Sequence, residues 1–149
     1  LPVLYITEAV NSYYHQSYLA STVMLGVAAE AVFVELAEAF GSWLGDASGS
    51  NLGKILADPK KTHFQKFDEF RKRLLPVASE LPSGLGDGLD LQLNSVLDLL
   101  RINRNDAGHP TGVTVTRDDS FVHLRIFARI AKRIYALKHH FENTKRAAS

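Results

Sequence analysis

The stretch DDSFVHLRIFARIAKRIYALKHHF, residues 118–141, shows the clearest helical periodicity in the chain. Its apolar residues recur every three or four positions and form one stripe of Phe121, Leu124, Phe127, Ile130, Ile134, Leu137 and Phe141. This spacing predicts an amphipathic helix that packs along its whole length. Asp118, Asp119 and Ser120 stand at its start, where polar side chains typically cap a helix.

The same periodicity recurs upstream, so the sequence predicts an all-α fold, a bundle of about five helices. The other four predicted helices cover residues 7–20, 19–44, 63–78 and 90–102. Stretches rich in glycine and small polar residues separate them at residues 45–53, 81–90 and 108–113. The one strand-like stretch is GVTVT at residues 112–116, which is long enough for a short hairpin and too short to found a sheet.

Length and composition indicate a single globular domain over residues 1–149. Hydrophobic residues make up 46% and charged residues 22%, a balance that excludes a disordered chain and argues against a membrane protein. The most apolar run, VMLGVAAEAVFV at residues 23–34, is short for a membrane span and contains Glu30. No membrane contact is therefore expected. A chain that starts at Leu1 rather than at methionine is compatible with a piece excised from a longer protein.

The formal net charge is only +1, so nucleic-acid binding would depend on a local basic patch. Basic residues opposite the apolar stripe of the last helix are Arg125, Arg129, Lys132 and Arg133, and the third predicted helix adds Arg71, Lys72 and Arg73. Such residues form either an ordinary solvated face or a surface that follows phosphates. Cysteine is absent, which excludes disulfides and thiolate zinc sites and fits a reducing compartment such as the cytoplasm.

The stretch RNDAGHP, residues 104–110, follows a leucine-rich helix and interrupts its pattern. Arg104 is the next step of the stripe formed by Leu89, Leu93, Val96, Leu97 and Leu100. A guanidinium at a core boundary must be paired or must line a cleft that receives an anion, because burying it alone is costly. Gly108 and Pro110 are typical residues for ending a helix.

His109 then follows a helix C-terminus, with Asp106 nearby, and both negative charges favour the protonated imidazole. An arginine that holds phosphate and a histidine that exchanges protons near neutral pH suffice for attack by an RNA 2′-hydroxyl on its own phosphodiester. This chemistry needs no metal and no cofactor, and the chain has no Glu-x-x-His pair to hold a metal. The competing interpretation is structural, in which the pair forms a helix cap and a salt bridge.

An all-helical chain of this length with RNDAGH at a helix end resembles the HEPN superfamily, whose R-x4-6-H motif matches Arg104 and His109. Asn105 matches the asparagine that often follows the arginine, and the alanine-rich second helix is similar to those of HEPN-like domains. The resemblance implies a helical bundle, commonly dimeric. Many members are metal-independent ribonucleases of toxin, abortive-infection or CRISPR-associated systems, in which the arginine and histidine are catalytic. Other members are inactive partner or nucleotide-binding modules.

Two expectations follow for the site. One histidine per chain is awkward for a reaction that needs both a base and an acid, so we expect a two-fold homodimer that brings two copies of His109 together. Glu30 is the only polar residue in its apolar run, and it either pairs with Arg104 or orients the site. The expected partners are single-stranded RNA, a second copy of the chain, and a neutralising protein or further domains of a longer chain.

Overall fold

The computed structural model describes residues 1–105 and 114–146, with backbone alone for residues 102–105. This part of the chain is all-α, which confirms the predicted fold class. Six helices have eleven or more residues: α1 Pro2–Tyr14, α2 Tyr18–Leu44, α3 Ala47–Ala57, α4 His63–Leu74, α6 Leu89–Asn105 and α7 Arg117–Asn143. A 3-10 helix covers Leu75–Glu80, and a single helical turn, α5, covers Ser83–Gly86. Residues 114–116, the described part of the predicted hairpin, are irregular.

The chain divides into two compact units. Unit 1 contains Leu1–Val32 and Asn94–Ala131, and unit 2 contains Phe33–Leu93 and Lys132–Ser149. The three helices α2, α6 and α7 each contribute one segment to each unit. The end of α6 and the beginning of α7, which flank the RNDAGHP stretch, both belong to unit 1.

Unit 2 has an aromatic core. Phe33 of α2 contacts Phe67 of α4, with ring centres 5.2 Å apart, and Phe40 contacts Phe141 of α7 at the same separation. Phe70 lies edge-on to Phe40 at 5.4 Å. Each such pair contributes about 0.5–1.5 kcal/mol beyond the burial of its area. α4 presents these rings because Phe67, Phe70 and Leu74 share one face.

Unit 1 has a core of smaller side chains. Its buried hydrophobic residues, each 8% exposed or less, are Ala9, Leu25, Ala28, Ala29, Val32, Val96, Leu99, Leu100, Phe127 and Ile130. The predicted stripe of α7 is buried from Phe127 to Phe141, while Leu124 is half-buried and Phe121 is 47% exposed. The prediction of packing along the whole helix was therefore wrong at Phe121, in the second turn of α7.

Residues 45–53 were expected to form a loop, and this prediction was wrong: only Gly45 and Asp46 lie between α2 and α3, and residues 47–53 belong to α3. Gly45 has φ of +64°, a left-handed conformation that suits glycine, and it follows the last residue of α2. Asp46 caps α3, because its carboxylate accepts a hydrogen bond from the Gly49 amide at 3.0 Å. Gly49 and Leu52 are buried, so packing outweighs the low helix propensity of the glycines and serines.

Two other helix boundaries differ from the prediction. The first predicted helix extended to residue 20, but α1 ends at Tyr14, and Gln16 adopts φ of +61° in the break before α2. The third predicted helix extended to residue 78, but α4 ends at Leu74 and the 3-10 helix follows. Pro76 lacks the amide hydrogen that a continued α-helix would use.

Candidate functional site

Arg104 and Asn105 are the last two residues of α6, so the first two positions of the predicted motif are helical. Their side chains, and all of His109, Gly108 and Pro110, lie outside the described residues. The roles assigned to Arg104, Asn105 and His109 therefore stay predictions.

The face of α6 that leads to Arg104 is the buried face. Leu89, Leu93, Val96 and Leu100 are each 5% exposed or less, as the apolar spacing predicts. Leu97 is half-buried, and Leu99 is buried although it was not in the predicted stripe. Arg104 stands four residues beyond Leu100, a little more than one helical turn. Arg101, which falls off this stripe, is exposed as expected.

Glu30 is half-buried on α2 between the buried residues Ala29 and Val32. It belongs to unit 1 together with the last turns of α6. A carboxylate at this position must be hydrogen-bonded or solvated, because its neighbours on the helix are apolar. Its predicted role beside the motif stays a prediction.

A capping box fixes the start of α7. The Thr116 hydroxyl accepts a hydrogen bond from the Asp119 amide at 3.2 Å, and the Asp119 carboxylate accepts one from the Thr116 amide at 3.0 Å. The cap is therefore Thr116, not one of Asp118, Asp119 or Ser120 as predicted. The hydrogen bonds from Thr116 lower the pKa of Asp119. The signal in the sequence was the spacing T-x-x-D, which we had assigned in part to the strand-like stretch.

The basic residues of α4 are paired with acidic residues of their own unit. Arg71 forms an ion pair with Asp90, Lys72 lies 2.8 Å from Asp68, and Arg73 lies 2.7 Å from Glu69. These pairs fit the interpretation of α4 as an ordinary charged face.

The basic residues of α7 differ from one another. Arg125, Arg129 and Lys132 are exposed. Arg133 is half-buried, and its Nη2 donates hydrogen bonds to the carbonyl oxygens of Leu85 and Asp87, at 2.9 Å and 2.8 Å. Arg133 thus holds the end of α5, whereas Arg125 and Arg129 present their charge to solvent. Their predicted contact with RNA stays a prediction.

Unit 1 contains an aromatic cluster that was not predicted from the sequence. The ring centre of Tyr13 lies 5.9 Å from Tyr14, 5.7 Å from Tyr18 and 6.1 Å from Phe121. Tyr14 is 77% exposed, and the guanidinium of Arg125 lies 5.8 Å from the centre of the Phe121 ring. Sequence periodicity had placed Phe121 in the core, because its position fits the stripe. The only local signal for the cluster was the adjacent pair Tyr13 and Tyr14.

Unit 2 contains a cleft of about 840 Å³ whose lining includes Trp43, Glu35, Lys138 and Arg146. Lys138 lies 3.0 Å from Glu35, and this hydrogen bond raises the pKa of Lys138. The Arg146 guanidinium lies 5.6 Å from the centre of the Trp43 ring and also contacts Glu80, outside the cleft lining. These groups neutralise one another in pairs, which indicates a structural role for the cleft walls.

Among residues 1–105 and 114–146, no three histidine, aspartate or glutamate side chains are grouped so that they could hold a metal ion. The helix α2 is long and apolar enough to cross a membrane by length and composition alone, with a mean hydropathy of 1.7 over its best window. We had judged its apolar run too short for this. Half of that window is buried within the structure, as in the core helix of a globular protein.

The comparisons with known proteins add no relative. No family model matches the chain, and neither a curated protein nor a solved structure shows significant similarity to it.

Proposed function

We propose that the chain is a HEPN-type endoribonuclease that cleaves single-stranded RNA without a metal ion. The observation that carries the proposal is the position of RNDAGH, whose arginine and asparagine are the last two residues of α6 in an all-α chain. A helix end is where the HEPN motif lies. The helix dipole there favours a protonated histidine close by.

In the proposed reaction, Arg104 binds the scissile phosphate and stabilises the negative charge that develops on it. One imidazole removes the proton of the 2′-hydroxyl, whose oxygen then attacks phosphorus. The bond from phosphorus to the 5′-oxygen breaks, and a second imidazole donates a proton to that leaving oxygen. The products end in a 2′,3′-cyclic phosphate and a 5′-hydroxyl. Asn105 orients the reacting groups, and Glu30 supports the arginine.

The two imidazoles come from two copies of His109 in a homodimer. A two-fold interface places a residue opposite its own copy, so one interface supplies both a base and an acid. Single-stranded RNA is the proposed substrate, because its flexible backbone reaches the in-line geometry that the attack requires. The proposed setting is cytoplasmic, in toxin or defence systems, with a neutralising protein or further domains of a longer chain as the control.

The test compares wild-type protein with His109→Ala on single-stranded RNA, with and without EDTA. We expect cleavage by the wild type in EDTA, cyclic-phosphate ends, and a loss of about 10²–10⁴-fold in the variant. Equal trace cleavage by both proteins would identify contamination and leave the non-catalytic HEPN module as the better interpretation. Sedimentation at micromolar concentration tests the dimer, and a monomer there would remove the two-histidine mechanism.

A further inference from the structure

We propose that unit 1 carries a platform on which the bases of single-stranded RNA stack, formed by the aromatic cluster of Tyr13, Tyr14, Tyr18 and Phe121 and the arginines beside it. This inference rests on the proposed function, since it assigns the surface that would hold the substrate of the RNDAGH site. The residues Phe121, Tyr13, Tyr14 and Tyr18 were not among the predicted RNA contacts.

The arrangement of α7 supports the proposal. Arg117, Phe121, Arg125 and Arg129 follow one another at intervals of four residues, and all four are exposed. On a helix this spacing makes a continuous ridge, with a rise of about 6 Å per step. The ridge therefore offers one exposed ring and three positive charges in a row along its first half.

The ring and the charges are already arranged together. The guanidinium of Arg125 lies 5.8 Å from the centre of the Phe121 ring, and Nε of Arg117 donates to the Tyr13 hydroxyl at 3.3 Å. Tyr13 tilts by 33° against Phe121, and Tyr14 at the edge of the cluster is 77% exposed. Flat rings flanked by guanidinium groups are the surface to which unpaired bases and their phosphates bind.

The charge of this surface favours a polyanion over a second copy of the chain. Three arginines stand on the ridge and outnumber the two carboxylates near its start, of which Asp119 stays charged while it accepts hydrogen bonds from Thr116. Asp118 is exposed but follows Arg117 by one residue, about 100° around the helix from the ridge. Two copies brought together at the ridge would face arginine against arginine. An RNA strand would instead neutralise those charges.

The experiment measures binding in a His109→Ala background, so that the RNA stays intact. The probes are a single-stranded RNA with one 2-aminopurine, whose fluorescence reports stacking, and an abasic ribose-phosphate strand of equal length. We expect Phe121→Ala and Phe121→Leu both to weaken binding of the RNA at least about fivefold, since stacking needs the ring rather than apolar area. The His109→Ala protein should bind the abasic strand more weakly than the RNA, and neither Phe121 variant should change its affinity for the abasic strand.

Phe64→Leu is the matched control, because Phe64 is 42% exposed on α4 in unit 2, against 47% for Phe121. It should leave the RNA affinity unchanged. Tyr14→Ala provides a second variant, at a side chain that is 77% exposed, and it should also weaken RNA binding. Circular dichroism checks that each variant is folded.

The results separate this inference from the proposed function. If the protein with an intact His109 cleaves RNA, and Phe121→Leu and Tyr14→Ala leave the RNA affinity of the His109→Ala background unchanged, the platform alone is overturned. No binding of any RNA by the wild type would overturn both. If Phe121→Ala dissociates a dimer while Phe121→Leu behaves as wild type, the surface is an interface between copies, and the platform is wrong.

Discussion

Gly49 of α3 packs directly against Gly41 of α2, so closely that a Cβ atom on Gly49 would overlap the Gly41 carbonyl oxygen. The same Cβ atom would also lie 3.1 Å from Cβ of Leu44. Glycine at position 49 is therefore a requirement of packing between two helices, since backbone atoms cannot move aside as the end of a flexible side chain can.

Gly49→Ala should destabilise the protein by about 1–3 kcal/mol, because α3 must move away from α2 to admit one methyl group. Gly53→Ala is the control on the same helix, where an added Cβ would meet no atom within 4 Å. It should stabilise the protein by roughly 0.5–1 kcal/mol, since alanine restricts the unfolded chain. Urea denaturation measures both changes. Equal effects of the two substitutions would contradict the close contact.

The capping box of α7 gives a second prediction. Thr116→Ala should lower the free energy of unfolding by about 1 kcal/mol, because the Asp119 amide loses its acceptor. Thr116→Ser keeps a hydroxyl there and should retain most of that stability. The low pKa of Asp119 means that this carboxylate stabilises the fold above its unfolded pKa. That stabilisation is lost as the pH falls through the folded pKa of Asp119. Melting temperatures of wild type and Asp119→Asn should therefore converge in acid, and a gap that stays constant would contradict the assignment.

Arg146 gives a prediction for unit 2. Its guanidinium donates two hydrogen bonds to the Glu80 carboxylate, at 2.8 Å and 2.7 Å, and these bonds lower the pKa of Glu80. The interaction of Arg146 with the ionised Glu80 carboxylate stabilises the folded state at neutral pH, and this contribution is lost as the pH falls through the folded pKa of Glu80. Arg146→Gln should lower the melting temperature at pH 7 and lose its effect in acid.

Lys145→Gln is the control for Arg146, because it removes the same charge from the neighbouring exposed residue. It should change the melting temperature less at every pH. If the two substitutions have equal effects, general charge rather than the pair of Arg146 and Glu80 is responsible.

Arg129 and Arg133 should behave differently although both were predicted to contact RNA. If exposed Arg129 contacts a phosphate, Arg129→Gln should flatten the plot of log affinity against log salt by about 0.7, the contribution of one phosphate on a single strand. Arg133→Gln should instead lower stability by on the order of 1 kcal/mol, since the carbonyls of Leu85 and Asp87 lose a charged donor. Binding titrations at several salt concentrations and thermal unfolding distinguish the two outcomes.

Substitutions in the motif should differ in degree. Arg104→Ala should reduce cleavage more than His109→Ala, because it removes both phosphate binding and charge stabilisation in the transition state. His109→Ala should leave RNA binding intact, and Asn105→Ala should have the mildest effect. Single-turnover cleavage and binding of a non-cleavable RNA measure the two properties separately. Loss of binding in His109→Ala would contradict its assignment as a proton-transfer group.

Periodicity predicted the helices well where one face is buried throughout. Leu93, Val96 and Leu100 of α6, and Ile134 and Leu137 of α7, are buried as their spacing required. Periodicity did not predict α3, because its glycine is buried by close packing of two helix backbones and does not form part of an apolar stripe. It also failed at Phe121, because the sequence gives the direction of a side chain on its helix but not where the neighbouring helices end.

The candidate site was less accessible to sequence reasoning. The motif could be recognised in the sequence because Arg104 interrupts an apolar stripe and Gly108 comes four residues after Arg104. The sequence could not predict that Arg133 has a structural role while Arg125 and Arg129 are exposed, because the carbonyl groups that Arg133 contacts are 46 and 48 residues away in the chain. The aromatic cluster joins α1, α2 and α7 and depends on tertiary contacts in the same way.

Trp43 is the only tryptophan of the chain, and it lies in unit 2, 7% exposed beneath the Arg146 guanidinium. Four of the five tyrosines, at positions 5, 13, 14 and 18, lie in unit 1. Emission excited selectively from tryptophan thus reports on unit 2 alone, and circular dichroism reports on the helices of both. Coincident denaturation curves from the two signals would mean that the units unfold as one cooperative system, and separated curves would give each unit its own stability.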